Sequence, residues 1–215
     1  MPVKPLPQSL VRKLTNAARI IDKQLGSMRN IDHRKERFER MQRNKISWLA
    51  RKILSLGLSK RPPGFKNTRI PGGRVRELDV SRNYPGLKSI VIKRDDFGDA
   101  KSLIDTIRNM VEEHNRNPAE RYALFKPHAY AISQELIAMA KTENPTINEV
   151  AKQNTERGKK MARKLEKHGL TREKLFQAVE ELDSHPTPFV GTHRNFMVLG
   201  AKDGKLLLMP FLDIW

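Results

Sequence analysis

The sequence predicts a helix-rich α+β protein. Extended basic N-terminal helices and a strap occupy residues 1–76, and a small mixed domain over 77–215, with about three strands, ends in a β-hairpin. Three observations carry this reading. Nearly all of the net positive charge sits in the first third, where prolines and glycines then break regular structure. Apolar residues recur at helical spacing through the middle of the chain. Near the C-terminus, Asp203-Gly204 separates two apolar runs, a strong hairpin signal.

The charge distribution is the most informative feature. Residues 1–76 contain 20 Lys and Arg against 4 Asp and Glu, a net of +16 out of +18 for all 215 residues, so residues 77–215 are close to neutral. Segregation this sharp points to an extended polyanion held along one segment. Arg outnumbers Lys there, 12 to 8, and its planar fork suits bidentate phosphate contacts. A hydrophobic content of 38% supports one modest core beside an extended basic part. The absence of cysteine excludes disulfides, thiolate metal sites and cysteine nucleophiles. No apolar run is long enough to span a membrane.

Pro2, Pro5 and Pro7 keep the start extended, Ser9 is the predicted N-cap of a first helix, and Gly26 is its predicted stop. Residues 1–21 lack acids, carry Lys4, Arg12, Lys13 and Arg19, and place Leu10, Leu14, Ala17, Ala18 and Ile21 on one face. That is the composition of a mitochondrial targeting segment, and equally of a basic helix that packs on RNA or on its own core. A second helix is expected from Asn30 or Asp32 to Gly57. Its first half offers only Phe38 and Met41 as apolar contacts, whereas its second half offers Ile46, Trp48, Leu49, Ile53, Leu54 and Leu56 for packing. Residues 59–76 combine three prolines and three glycines with six cations, which reads as a strap along phosphates with Phe65 available to stack. Like-charge repulsion and these breakers predict that residues 1–76 order only on a partner.

Beyond Arg76, Leu87–Lys93 is the first expected strand and Ala100–His114 an amphipathic helix. Helical structure is expected from Pro118, interrupted at Pro127 and resumed over Ala129–Lys141. A further helix, capped at Asn144-Pro145-Thr146, runs to His168, and Thr171 caps a short one to Asp183. The hairpin strands are Asn195–Ala201 and Lys205–Ile214, with Pro210 marking an edge or a bulge. Ile92, Leu199, Leu206 and Leu208 are the expected core of this domain.

No constellation in the chain points to catalysis. The six histidines (33, 114, 128, 168, 185 and 193) never pair at metal-ligand spacing, and Glu112-Glu113-His114 lacks the second histidine of a zinc-protease helix. Asp95, Asp96 and Asp99 read as a solvated turn, because the alternating ligands of a calcium loop are missing. Ser9, Ser47 and Ser55 have no nucleophile context, and phosphate-loop motifs do not occur. The stretch from Pro145 to Lys152 resembles the opening of a helix-turn-helix, but the sequence predicts unbroken helix through Gln153–Lys160, with Gly158 too late for the turn. The chain is therefore read as a non-enzyme that needs no cofactor and no metal.

The predicted RNA-binding residues are Arg29, Arg34, Lys35, Arg37, Arg40, Arg43, Lys45, Arg51, Lys52, Lys60, Arg61, Phe65, Lys66, Arg69, Arg74 and Arg76. The acid-free amphipathic start at Met1–Ile21 and the basic helix and strap at Arg29–Arg76 resemble, as a class, eukaryote-specific mitochondrial ribosomal proteins. The resemblance implies a structural role on ribosomal RNA, neighbouring ribosomal proteins as partners, no catalysis and no small-molecule substrate. It also implies residence in the mitochondrial matrix, with the nucleus, nucleolus or cytoplasm as alternatives. Two other readings compete: a DNA-binding, packaging or recombination factor, and a nucleic-acid-processing enzyme.

Overall fold

The structure is a computed structural model that describes residues 4–29, 45–58, 75–81, 83–94, 98–116, 118–184 and 196–210. The predicted α+β architecture ending in a hairpin is present. Among the described residues it comprises helices α1 (Gln8–Arg29), α2 (Lys45–Ser55), α3 (Ala100–Arg116), α4 (Ile147–Lys152), α5 (Glu156–Glu166) and α6 (Arg172–Ser184). Seven strands, rather than about three, form two sheets: β1 (Val75–Asp79), β2 (Ser89–Arg94), β3 (Tyr122–Leu124), β4 (Ala129–Ala131), β5 (Leu136–Ala140), β6 (Phe196–Lys202) and β7 (Lys205–Pro210). The chain divides into two units. The first takes Lys4–Lys101 and His128–Lys141, and the second takes Met1–Val3, Ser102–Pro127 and Thr142–Trp215. Position 76/77, the division read from charge, lies within β1.

In the first unit the strand order is β1-β2-β5-β4, antiparallel throughout. Helix α2 packs on β1 and β2, and α1 packs on α2. The periodic apolar face of α1 drives this arrangement, since Leu10, Leu14, Ala17, Ala18, Ile21 and Leu25 are all at most 5% exposed. Ile21 and Leu25 cluster with Trp48 of α2, which buries Ile46, Leu49, Ala50 and Ile53 and ends at Gly57 in a left-handed conformation. Two expectations for α1 are corrected. Backbone amides of Leu10 and Val11 donate to the Pro7 carbonyl, so the helix begins before Ser9. It also runs through Gly26 to Arg29. The expectation that residues 1–76 order only on a partner fails for these two helices, because buried apolar area offsets their charge.

The helical reading of 118–141 is overturned. Tyr122–Leu124 pairs in parallel with β7, and β4 and β5 form a hairpin closed by Ile132 N–H donating to Leu136 O at 2.8 Å. Alanines in this stretch favour helix locally, but Leu136–Ala140 lies between β2 and β4, where pairing on both edges decides its conformation.

The second unit is built on the order β3-β7-β6. Leu206 and Leu208 are fully buried at its centre with Tyr122, Leu124, Phe196 and Val198. His114 of α3 stacks on Tyr122 at 5.2 Å, and burial together with the Glu181 charge pushes the Tyr122 phenol well above its ordinary value. The Asp203-Gly204 turn has positive φ at both residues, as a tight hairpin requires. The bulge falls at Val198/Gly200 of β6, not at Pro210, which closes β7 opposite Phe196. Ile92 belongs to the first unit, and Leu199, beside the bulge, is only half-buried.

Residues 145–168 do not form one helix. Helix α4 ends at Gln153, whose φ of 49° is left-handed, and Thr155 caps α5 by accepting from the Gly158 N–H at 3.1 Å. Gly158 is therefore not the turn residue. A Cβ there would sit 2.2 Å from the Glu149 carbonyl oxygen, so the glycine lets α5 approach the backbone of α4. Thr146 and Glu149 form a reciprocal capping box on α4, and Arg157 grips the Glu149 carboxylate with two hydrogen bonds of 2.9 Å. Burial pushes the Glu149 carboxyl up, but the bonds from the Thr146 backbone, Arg157 and the Thr146 hydroxyl outweigh it and hold the group below the usual range. Replacing Glu149 with Gln is expected to cost about 1–2 kcal/mol at neutral pH. Because the folded carboxyl titrates below its unfolded value, its contribution is complete above that unfolded value. It is lost as pH falls through the folded one. Urea unfolding of the two proteins should converge in acid; a pH-independent difference would remove the carboxylate as its source.

Candidate nucleic-acid interface

Helix α1 presents two opposed faces. With one face buried, Arg12, Lys13, Arg19 and Lys23 remain exposed on the other. At 100° per residue, Arg12, Arg19 and Lys23 fall within an arc of about 40° and span roughly 16 Å along the axis. Among the described residues none of these four is in an ion pair. The one carboxylate on α1, Asp22, is taken by Lys45 at 2.5 Å. The outer face is therefore a row of uncompensated cations on a helix fixed by its own core, the arrangement expected of a phosphate track.

Of the predicted RNA-binding residues, three have described side chains. Arg51 is exposed on α2 with its guanidinium 5.4 Å from the Trp48 ring centroid, held by a cation–π contact that leaves its outer edge to solvent. Lys52 is half-exposed beside it. Lys45 differs from both. It is 4% exposed and its ammonium is shared between Asp22 and Glu135, the latter at 3.5 Å. Glu135 in turn pairs with Arg94 at 2.9 Å. A Lys committed to carboxylates of its own fold joins α1, α2 and the β4–β5 turn, which leaves its ammonium little exposed surface to offer a phosphate. Arg29 closes α1 and Arg76 pairs with Ile92 in the β1–β2 ladder. Their side chains, and residues Arg34, Lys35, Arg37, Arg40, Arg43, Lys60, Arg61, Phe65, Lys66, Arg69 and Arg74, lie outside the described residues.

The α1 cations are absent from the predicted RNA-binding residues, although a basic helix that packs on RNA was one of the two readings of residues 1–21. The signal was present in the spacing of Arg12, Arg19 and Lys23, seven and eleven residues apart and opposite Leu10, Leu14 and Ile21. Other sequence candidates disperse. His114 is buried against Tyr122, whereas His128 and His168 are exposed. Asp99 is exposed just before α3, and Asp95 and Asp96 lie outside the described residues. Ser55 Oγ donates to the Lys52 carbonyl at 2.8 Å, a helix-end contact. Among the described residues no group of His, Asp and Glu side chains is arranged to hold a metal, and no helix is long and apolar enough to cross a membrane. No protein-family model matches the chain, and no curated protein matches it.

Proposed function

We propose that this chain is a structural RNA-binding protein, a mitochondrial ribosomal-subunit component that anchors ribosomal RNA and neighbouring proteins through its basic N-terminal third. The observation that supports this most is the uncompensated row Arg12, Arg19 and Lys23 on a helix whose other face is core. A helix held rigid in this way loses little entropy on docking, so its cations act as preformed phosphate contacts. The net +16 of residues 1–76 extends the same chemistry. The mitochondrial placement rests on the acid-free, basic residues 1–21.

Affinity for structured RNA should fall steeply with salt. The triple variant R12Q/R19Q/K23Q should reduce the log–log slope by roughly 2, at about 0.7–0.9 per contact, similarly across RNA sequences. Co-sedimentation of the protein with a ribosomal subunit at moderate salt is the second expected result. An unchanged slope in this triple variant and in R37Q/R40Q/R43Q, with no co-sedimentation, would overturn the proposal.

A further inference from the structure

The second unit is nearly neutral by sequence, yet its α5 gathers cations on one side. Lys160, Arg163, Lys164 and Lys167 are all exposed. Their spacing of three, four and seven residues places them within an arc of about 100° and over roughly 10 Å of helix. Among the described residues none of the four is in an ion pair. The opposite face is closed by Gly158, Ala162 and Leu165, which are buried.

Helix α5 is also the second helix of a helix–turn–helix, with only Gln153, Asn154 and Thr155 between it and α4. Two contacts lock the pair: Arg157 on the Glu149 carboxylate, and the close approach that Gly158 permits. Sequence-reading versions of this motif insert the first turn of the second helix into a groove. Here that turn exposes Glu156, 91% accessible and paired with Lys159, which would face phosphates with a carboxylate. The side chains that follow on this face are cations with no amide among them, suited to phosphate oxygens and not to base edges.

We propose that α5 is a second RNA contact that grips the phosphate backbone of a double-helical segment through Lys160, Arg163, Lys164 and Lys167, independently of base sequence. This rests on the RNA-binding reading above and adds a binding element to a part of the chain where charge counting finds none. Cations near a helix C-terminus also complement its dipole, but that role concerns the last turn and predicts a loss of stability alone.

The test uses the full chain, an RNA hairpin of about 20 base pairs, a DNA duplex of the same sequence and single-stranded RNA of the same length. The variant K160Q/R163Q/K164Q/K167Q should melt like wild type, since it alters only exposed side chains. Its salt slope on the RNA hairpin should fall by roughly 3, with a much smaller change on single-stranded RNA. The pair K164Q/K167Q, expected to show about half that change, serves if the quadruple variant does not fold. Wild-type binding to the hairpin by the α5 variant, with impaired binding by R12Q/R19Q/K23Q, would overturn this inference and leave the N-terminal reading standing. Loss on the DNA duplex equal to or greater than on RNA would assign the face to DNA and overturn it also.

Discussion

Leu208→Ala is expected to cost about 2–5 kcal/mol, the range for truncating a fully buried leucine that leaves a cavity. Leu208 is completely buried in β7, the central strand of its sheet, opposite Leu124 on one side and Val198 on the other. Its carbonyl also accepts from the Phe125 N–H at 2.8 Å, so β3 depends on the position of this residue. Urea unfolding gives the magnitude, and amide exchange locates it. Protection should fall in β3, β6 and β7. Leu199→Ala should cost much less, because Leu199 is half-buried beside the bulge. Equal costs for the two would mean that the inward face of the hairpin is set differently.

The contrast between Leu208 and Leu199 illustrates what was legible in the sequence. Alternation along Asn195–Ala201 would send 196, 198 and 200 to one side, whereas the sequence reading places Leu199 in the core. Asp203-Gly204 sets where the strands turn, and both features are local. The bulge at Val198/Gly200 answers to the facing strand, and its local signal is a single glycine inside a strand pattern, Gly200. The helix at 100–116 was legible for the same reason as the hairpin, since its apolar positions recur at one period with solvent on the other side. The strands of 118–141 were not. Ala129–Ala131 and Leu136–Ala140 are short and alanine-rich; Leu136–Ala140 pairs with β2, more than 40 residues earlier in the chain, and Ala129–Ala131 pairs with β5 in turn. Local propensity favoured the wrong state there, and non-local pairing decided it.

For the candidate interface, net charge was legible and its geometry was not. Counting cations singled out the first third of the chain but treated Lys45 like its neighbours, because burial of a lysine depends on partners distant in sequence, here Asp22 and Glu135. The same count passed over α5, where acids elsewhere in residues 77–215 cancel the total while the helix sorts its own cations to one side. The break at Gln153 was hidden because glutamine is an ordinary helix residue. Its left-handed conformation follows from the cap at Thr155 and the packing of Gly158 on Glu149.

Lys45→Ala is expected to destabilise the first unit by about 2–3 kcal/mol without altering how the protein responds to salt when it binds RNA. Removing one member of a buried ion pair typically costs about 3–5 kcal/mol. Asp22 is 39% and Glu135 19% exposed, so water recovers part of that for both, and Glu135 keeps Arg94. What remains is the loss of a link between α1, α2 and the β4–β5 turn, together with the cavity left by the lysine stem. Lys45→Met, which keeps the stem and removes only the charge, should fall between wild type and alanine. Thermal or urea unfolding ranks the three proteins, and the salt slope on structured RNA separates a structural cation from a phosphate ligand. If Lys45→Ala left stability unchanged but lowered the slope by about 0.7–0.9, the ammonium would belong to the RNA interface after all, and the Asp22 and Glu135 pairs would have to open when RNA docks.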